Sequence, residues 1–352
     1  MAPKRSDQNS LAVVVIDVSP VVWGERELRR AASDKSRLAA GKRSLGPAIL
    51  EEVLSSVQAF ANAFLAMEKD AALLMVAVAG KEVAVVYPRK DALQEYFDNA
   101  ESKLDGRQIH DDLYLGVAEL VSLSAKRQAN DTDAPLSASL AAMASAFSTS
   151  LCLINRFLVR SNAGVSALQR GGVWHRTNAD DQGVLTAIGG SGKKKSSKTA
   201  RAWSPRILLV QASDDRPNDY NAIMNCAFAA VKHQIVVDGC FIPCSGAKTS
   251  AFLEQTCDLT GGVFLAPSGA SQCNKALTEV LFSVFLPNRL SRGGLNLPAI
   301  NKVDFRARAF DTGESVDMAY VCNQCLSIFE KLPEVQCPTC DAEIRSRKRQ
   351  QA

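Results

Sequence analysis

Histidine is scarce: His110, His175 and His233 are the three in 352 residues. None is accompanied by a serine on a sharp strand-to-helix turn of the G-x-S-x-G type, so nucleophilic hydrolysis has little to build on and no enzyme is expected. Long hydrophobic runs are missing too. No apolar stretch reaches the ~18–20 residues of a bilayer span, so no membrane partner is expected. The opening MAPKRSDQNS lacks the apolar stretch of a secretory signal, which puts the ten cysteines in a reducing compartment. A large surplus of one charge is also lacking, since a net +4 does not by itself call for nucleic acid. The string GGSGKKKSSKT suggests a phosphate loop and fails the test for one. Gly192-Lys193 is followed by Lys194, position 187 is alanine, and no strand precedes it.

Against these absences stand four cysteines near the C-terminus, in Cys322-Asn-Gln-Cys325 and Cys337-Pro-Thr-Cys340. Two C-x-x-C turns, each aiming two sulfurs at one point, complete a tetrahedron of thiolates around Zn²⁺. Such a site has no open coordination position, so it holds a fold together and performs no chemistry. The short gap between the pairs predicts a very small ribbon or knuckle binding one structural zinc ion. The other six cysteines (Cys152, Cys226, Cys240, Cys244, Cys257, Cys273) lie in apolar segments and read as buried thiols. Two basic clusters, Lys193 to Lys195 and Arg345, Arg347, Lys348 and Arg349, read as solvated segments or import signals.

Apolar, β-branched runs recur through the chain: LAVVVI ending at Asp17, then residues 73–78, 207–210, 235–237 and 262–265, with 83–87 a shorter companion. Runs of this kind belong to strands covered on both faces. Between them lie amphipathic helical patterns. One carries Ile49, Val53, Val57, Phe60 and Phe64; another carries Met143, Phe147, Ile154 and Phe157; a third is entered through Asn218-Asp219 and ends near His233. Alternation of this kind predicts an α/β fold, a doubly wound and mostly parallel sheet of Rossmann type, with a small zinc-binding ribbon behind it. The expected division is a tail over 1–10, the large domain over 11–290, a linker over 291–318, the zinc module over 319–343 and a basic tail over 344–352. Residues 25–43 interrupt the pattern with charge, 124–135 read as a polar loop, and 164–204 read as a disordered Gly/Ser/Lys-rich insert.

The carboxyl edge of the first strand is where such sheets bind ligands. There Asp17-Val18-Ser19-Pro20-Val21 offers an aspartate and one serine, and Asp214 follows the strand at 207–211. A hard Mg²⁺ site wants a second hydroxyl where Val21 stands, so Asp17, Ser19 and Asp214 read as a degenerate, inactive cation site and Mg²⁺ is not expected. Asp17 is expected to satisfy nearby backbone amides instead. The apolar Val21-Val22-Trp23 beyond it suits either a partner-facing rim or packing in the core.

These features together resemble the smaller von Willebrand A-like subunits of the general transcription and nucleotide-excision-repair factor TFIIH. The resemblance is carried by VVVIDVSPVVWG (13–24), RILLVQASDD (206–215), NDYNAIMNCAFAAVKHQIVVDGC (218–240) and LEQTCDLTGGVFL (253–265). It continues through LFSVFLP (281–287), KVDFRA (302–307), YVCNQCLSIFE (320–330) and CPTC (337–340). Members of that family carry extra cysteines where this chain has Arg308, Ala309, Phe310 and Asp311, which leaves four ligands and one metal. The resemblance implies a nuclear, non-catalytic scaffold. Its expected partners are the larger A-like zinc subunit and the other core subunits, and it would support the helicase module in transcription initiation and repair. Two other readings compete with it. One is a standalone zinc-ribbon protein binding nucleic acid through the basic tail; the other is a Mg²⁺-dependent ligand binder using Asp17, Ser19 and Asp214.

Overall fold

The computed structural model describes residues 9–39, 49–67, 71–98, 108–130, 141–161, 203–243, 249–267, 274–297 and most of 303–343. Strand β1 (Asn9–Asp17) is buried along nearly its whole length, and β2 (Ala72–Ala79) is buried throughout. Parallel pairing with β2 on one side and β4 (Trp203–Gln211) on the other makes β1 a central strand. With β3 (Glu82–Tyr87), β5 (Val236–Phe241) and β6 (Phe264–Leu265) the order is β3-β2-β1-β4-β5-β6, and only β3 is antiparallel. The period of two along β1 sorts its side chains into two cores. Ala12, Val14 and Ile16 pack on one face, while Leu11, Val13 and Val15 pack on the other.

On the first face lie α2 (Leu50–Met67), α4 (Gln108–Asn130), α8 (Asn274–Val280) and the π-turn Leu281–Phe285 that continues it, together with the first turn of α1 (Pro20–Ala39). On the second lie α3 (Lys90–Asp98), α5 (Met143–Ser161), α6 (Tyr220–Lys232) and α7 (Ala251–Thr260). Among the described residues no helix is long and apolar enough to cross a membrane.

Several expectations are corrected. Residues 25–39 are not an irregular interruption but the body of α1, whose described side chains past Arg26 are mostly exposed and hide the helical period. Residues 124–130 are not a loop but the last turns of α4, with Ser124 buried. Asp219 precedes α6 without a side-chain capping bond, because residues 217–219 form a 3₁₀ turn instead. The strands at both ends of the expected tail and insert begin early: β1 starts at Asn9, and Trp203 and Ser204 already belong to β4. The rest of the insert, both basic clusters, His175, Cys244 and Cys273 lie outside the described residues. Of the six cysteines read as buried, Cys240 and Cys257 are, Cys226 is half-buried, and Cys152 is exposed at the surface of α5. Burial pushes the Cys240 thiol up to about 12, so it stays a protonated, inert filler.

The large domain does not end at 290. Arg292, in α9 (Arg289–Arg292), reaches back to Asp238 on β5 with two bonds of 2.7 and 2.6 Å. Asp238 is 1% exposed and also accepts from the Val263 amide, so a buried carboxylate meets a half-buried guanidinium through two charge-assisted bonds. Arg206 on β4 does a similar job, donating to the carbonyls of Phe285, Leu286 and Pro287 at 2.9–3.0 Å, where the helix end leaves them without intrahelical partners.

Helix α7 closes with Gly261 in the left-handed region at φ 69° and the Gly262 amide bonded back to Cys257. A β-carbon on Gly262 would lie 1.9 Å from the Val237 carbonyl oxygen. Backbone must move to relieve that contact. Gly262→Ala is therefore expected to lower stability by about 3 kcal/mol in urea unfolding, the upper part of the usual overpacking range; a loss below ~0.5 kcal/mol would show that β5 and α7 shift freely.

Candidate functional site

At the carboxyl edge of β1 the Asp17 carboxylate is 1% exposed. Its Oδ1 accepts from the Ser19 amide at 3.0 Å and the Ser19 hydroxyl at 2.7 Å. Its Oδ2 accepts from the amides of Ala212 at 3.1 Å and Ser213 at 2.6 Å, beyond the end of β4. Both oxygens are thus occupied by the chain's own donors. Ser19 is fully buried, and its oxygen also lies 3.4 Å from the Gly80 amide. Asp214 is half-buried at this edge, but it is the neighbouring Asp215 that ties the loop down. Asp215 accepts from Gln211, from the Ser250 hydroxyl and from the Phe252 amide at the start of α7. The edge works as a structural knot joining β1, β4 and α7.

Trp23 belongs to that knot and not to a partner-facing rim. It is 2% exposed, its indole N–H donates to the Asp17 carbonyl at 2.8 Å, and the Arg26 guanidinium lies 5.6 Å from its ring centroid. Val22 is buried as well, leaving Val21 the exposed member of the three. Trp23→Ala is expected to cost about 3 kcal/mol of domain stability in thermal or urea unfolding; an unchanged midpoint would return the residue to the surface. The two described histidines lie at the surface. His110 meets Gln58 at 3.1 Å and the Tyr114 ring at 4.5 Å, and His233 caps the C-terminus of α6.

The second site is the cysteine cluster. Its framework is two small ribbons, β7 (Ala307–Arg308) with β8 (Ser315–Val316), and β9 (Tyr320–Val321) with β10 (Ile328–Phe329). Residues expected to be linker therefore contribute to the module. Ala309 is fully buried, the Phe310 amide bonds the Ile328 carbonyl at 2.7 Å, and the Phe310 ring packs on the core of Cys322, Phe329 and Cys337. Where the resemblance led one to look for further cysteines, this chain has apolar packing.

The two C-x-x-C turns are built alike. The Cys322 amide bonds the Ser327 carbonyl and the Leu326 amide bonds back to Cys322; the Cys337 amide bonds the Ala342 carbonyl and the Asp341 amide bonds back to Cys337. Leu326 at φ 60° and Asp341 at φ 57° occupy equivalent left-handed positions. These turns bring Cys322 Sγ to 3.8 Å from Cys340 Sγ and Cys325 Sγ to 3.6 Å from Cys337 Sγ. All four sulfurs lie within 4.8 Å of one another. Four thiolates at ~2.3 Å from one tetrahedral ion stand ~3.8 Å apart, so the cluster can hold a metal ion. Among the described residues it is the one group of three or more Cys, His, Asp or Glu side chains that can.

The electrostatics favour thiolates at two of the four. The backbone amides of Cys325 and Gln324 draw the Cys322 thiol below its ordinary range. Partial desolvation opposes ionisation of Cys325, but hydrogen bonds from Ser327 and from the neighbouring sulfurs prevail and bring it to about 6. Cys340 receives the Ala342 amide, yet sharing hydrogens with Cys325, Cys337 and Cys322 leaves it at about 12.

Strand order, a closed ligand edge and an appended four-cysteine module define a von Willebrand A-like fold with a C-terminal cysteine cluster able to hold a metal ion. The family is equally plain. A sequence model described as "Transcription factor Tfb4" matches residues 9–341, and the chain belongs to that family. Over nearly all of its length it is similar to the General transcription and DNA repair factor IIH subunit TFB4 of Debaryomyces hansenii, 26% identical over 361 residues, covering 96% of this chain and 86% of the yeast protein. The Arabidopsis thaliana subunit of the same name is 40% identical over 136 residues, and that match spans 39% of this chain and 42% of the plant protein. Among solved structures, the TFIIH p34 N-terminal domain superposes with a TM-score of 0.50 at 20% identity, covering 78% of this chain and 97% of that domain.

Proposed function

We propose that the chain is a non-catalytic scaffold subunit of the TFIIH core, acting in the nucleus in transcription initiation and nucleotide excision repair. One structural Zn²⁺ would be held by Cys322, Cys325, Cys337 and Cys340, because four thiolates in a reducing compartment select zinc and leave no open position for chemistry. The proposed partners are the larger A-like zinc subunit and the other core subunits, with support of the helicase module as the result. The observation that carries this reading is the extent of the family match, from residue 9 to residue 341, through both the A-like domain and the cysteine cluster. The closed edge at Asp17 supports it, since a sheet whose ligand position is filled by its own amides offers rigid surfaces and no cation for binding.

The test is a mild affinity purification of the tagged chain from its own cells, with every co-purifying protein identified and zinc measured. Recovery of the larger A-like subunit and the helicases, with about one zinc per chain, is the expected result. Recovery of the chain alone at physiological salt would overturn the assignment.

A further inference from the structure

The outer surface of the four-cysteine module is more apolar than its fold requires. Within residues 318–335, Met318 is 87% exposed, Val335 70%, Leu326 59%, Val321 57% and Leu332 44%. Pairing in the β9–β10 ribbon sets Val321 opposite Ile328, on the side away from the pair Tyr320–Phe329 whose phenyl ring fills the core beside Cys322 and Cys337. The ribbon therefore turns one face to the sulfurs and an apolar face outward. Leu326 is the most telling residue. It occupies a left-handed position that glycine adopts freely and leucine only at a cost, and its side chain is still left in water. Its carbonyl lies 3.4 Å from the Asn221 amide group on α6, so this turn stands beside the large domain.

The charge around this face is predominantly acidic. Residues 305–343 carry Asp311, Glu314, Asp317, Glu330, Glu334, Asp341 and Glu343 against Arg306, Arg308 and Lys331, and Arg306 pairs with Asp317 at 3.7 Å. Asp317, Glu330, Asp341 and Glu343 are exposed. Four thiolates around a divalent cation add about two further negative charges. A nucleic acid is bound through cations that neutralise its phosphates, and an anionic lipid surface makes the same demand. Neither fits an acidic rim. An exposed apolar patch rimmed by charge marks a protein interface, and electrostatic complementarity gives the sign of the partner.

We propose that the outer face of the four-cysteine module is a docking surface for a protein segment whose apolar side chains are flanked by lysine or arginine. The apolar residues supply the buried centre, and the acidic rim orients the partner and excludes polyanions.

The test uses the full chain expressed in its own cells, with the photo-crosslinking residue benzoylphenylalanine introduced in separate variants, Val321→benzoylphenylalanine and Val335→benzoylphenylalanine. The metal content of each variant is checked, and crosslinked peptides are sequenced. The expected product joins the module to a protein segment carrying both apolar and basic residues. Adding Glu330→Lys with Glu343→Lys is expected to cut its yield about tenfold at unchanged metal content. Products shortened by nuclease, crosslinks returning to residues 344–352 of the same chain, a partner segment without basic residues, or no product from either metal-loaded variant would each overturn the proposal. A basic, apolar segment from a protein outside TFIIH would uphold the docking surface while sinking the assignment to that assembly.

Discussion

Cys337→Ser, or treatment with a strong chelator, is expected to unfold residues 305–343 and leave the melting of the A-like domain unchanged. The module has little else to hold it. Its core consists of Cys322, Phe329 and Cys337, with Phe310, Cys325 and Ala342 partly buried against them, and each of its four strands is two residues long. A unit of this size does not stabilise itself by hydrophobic burial, and structural zinc contributes about 10–16 kcal/mol of apparent folding free energy in comparable small modules. Cys337 is fully buried, so a serine there would take a thiolate from the proposed zinc ion and leave a hydroxyl in its place. The large domain should not notice, because neither of its two main cores contains a residue of the module. Zinc stoichiometry, limited proteolysis and calorimetry on the full chain check this together. The predicted pattern is loss of about one equivalent of zinc, new cleavage between 305 and 343, and an unmoved main transition. Retention of the equivalent, or loss of both units together, would contradict it. Acid should act in the same direction as chelation. Protons compete with a metal for the four thiolates, so the stabilisation that a metal gives is lost as pH falls.

The two sites differ in how far they could be read from sequence, and the reason is distance along the chain. Each cysteine pair is local, and the two pairs lie close enough for spacing alone to suggest one metal. The acidity of residues 315–343 was equally open to inspection, and it weighs against the nucleic-acid reading that the basic tail encouraged. Asp17 is a different case. Its Oδ2 partners lie 195 and 196 residues away, and nothing in the sequence says that Ala212 and Ser213 aim their amides at it, or that Asp215 rather than Asp214 secures the loop. The strands were legible because residues buried on both faces form unbroken apolar runs. Helix α1 was not, because past Val22, Trp23 and Arg26 its described side chains are mostly exposed and no apolar stripe remains. The end of α4 was hidden for a related reason: Ala125, Lys126, Arg127 and Gln128 form helix well by intrinsic propensity while looking like loop composition.

Asp17→Ala is expected to destabilise the A-like domain by about 5 kcal/mol, a large share of the ~5–15 kcal/mol that holds a typical domain together. Three backbone amides and one hydroxyl donate to its carboxylate, and all belong to buried residues. Each buried donor left without an acceptor costs about 1–3 kcal/mol. Relief of the desolvation of the charge offsets part of that sum, so the net falls below the simple total. Asp17→Asn is the sharper probe. It keeps the shape and one acceptor oxygen but turns an NH₂ group toward donors, either the pair from Ser19 or the amides of Ala212 and Ser213, so about 2–4 kcal/mol should be lost without any cavity. Urea unfolding of both variants reads these values. The same experiment separates the structural role from a cation site. Were Asp17 a metal ligand, Mg²⁺ at about 10 mM would raise the unfolding midpoint of the parent and leave the variants unmoved, as linkage requires. With both carboxylate oxygens already occupied by the chain, all three proteins should respond to Mg²⁺ alike, and calorimetric titration of the parent should show no binding. A parent-specific stabilisation by Mg²⁺, or an Asp17→Ala protein within ~1 kcal/mol of the parent, would mean that the carboxylate is held for a ligand and not for the fold.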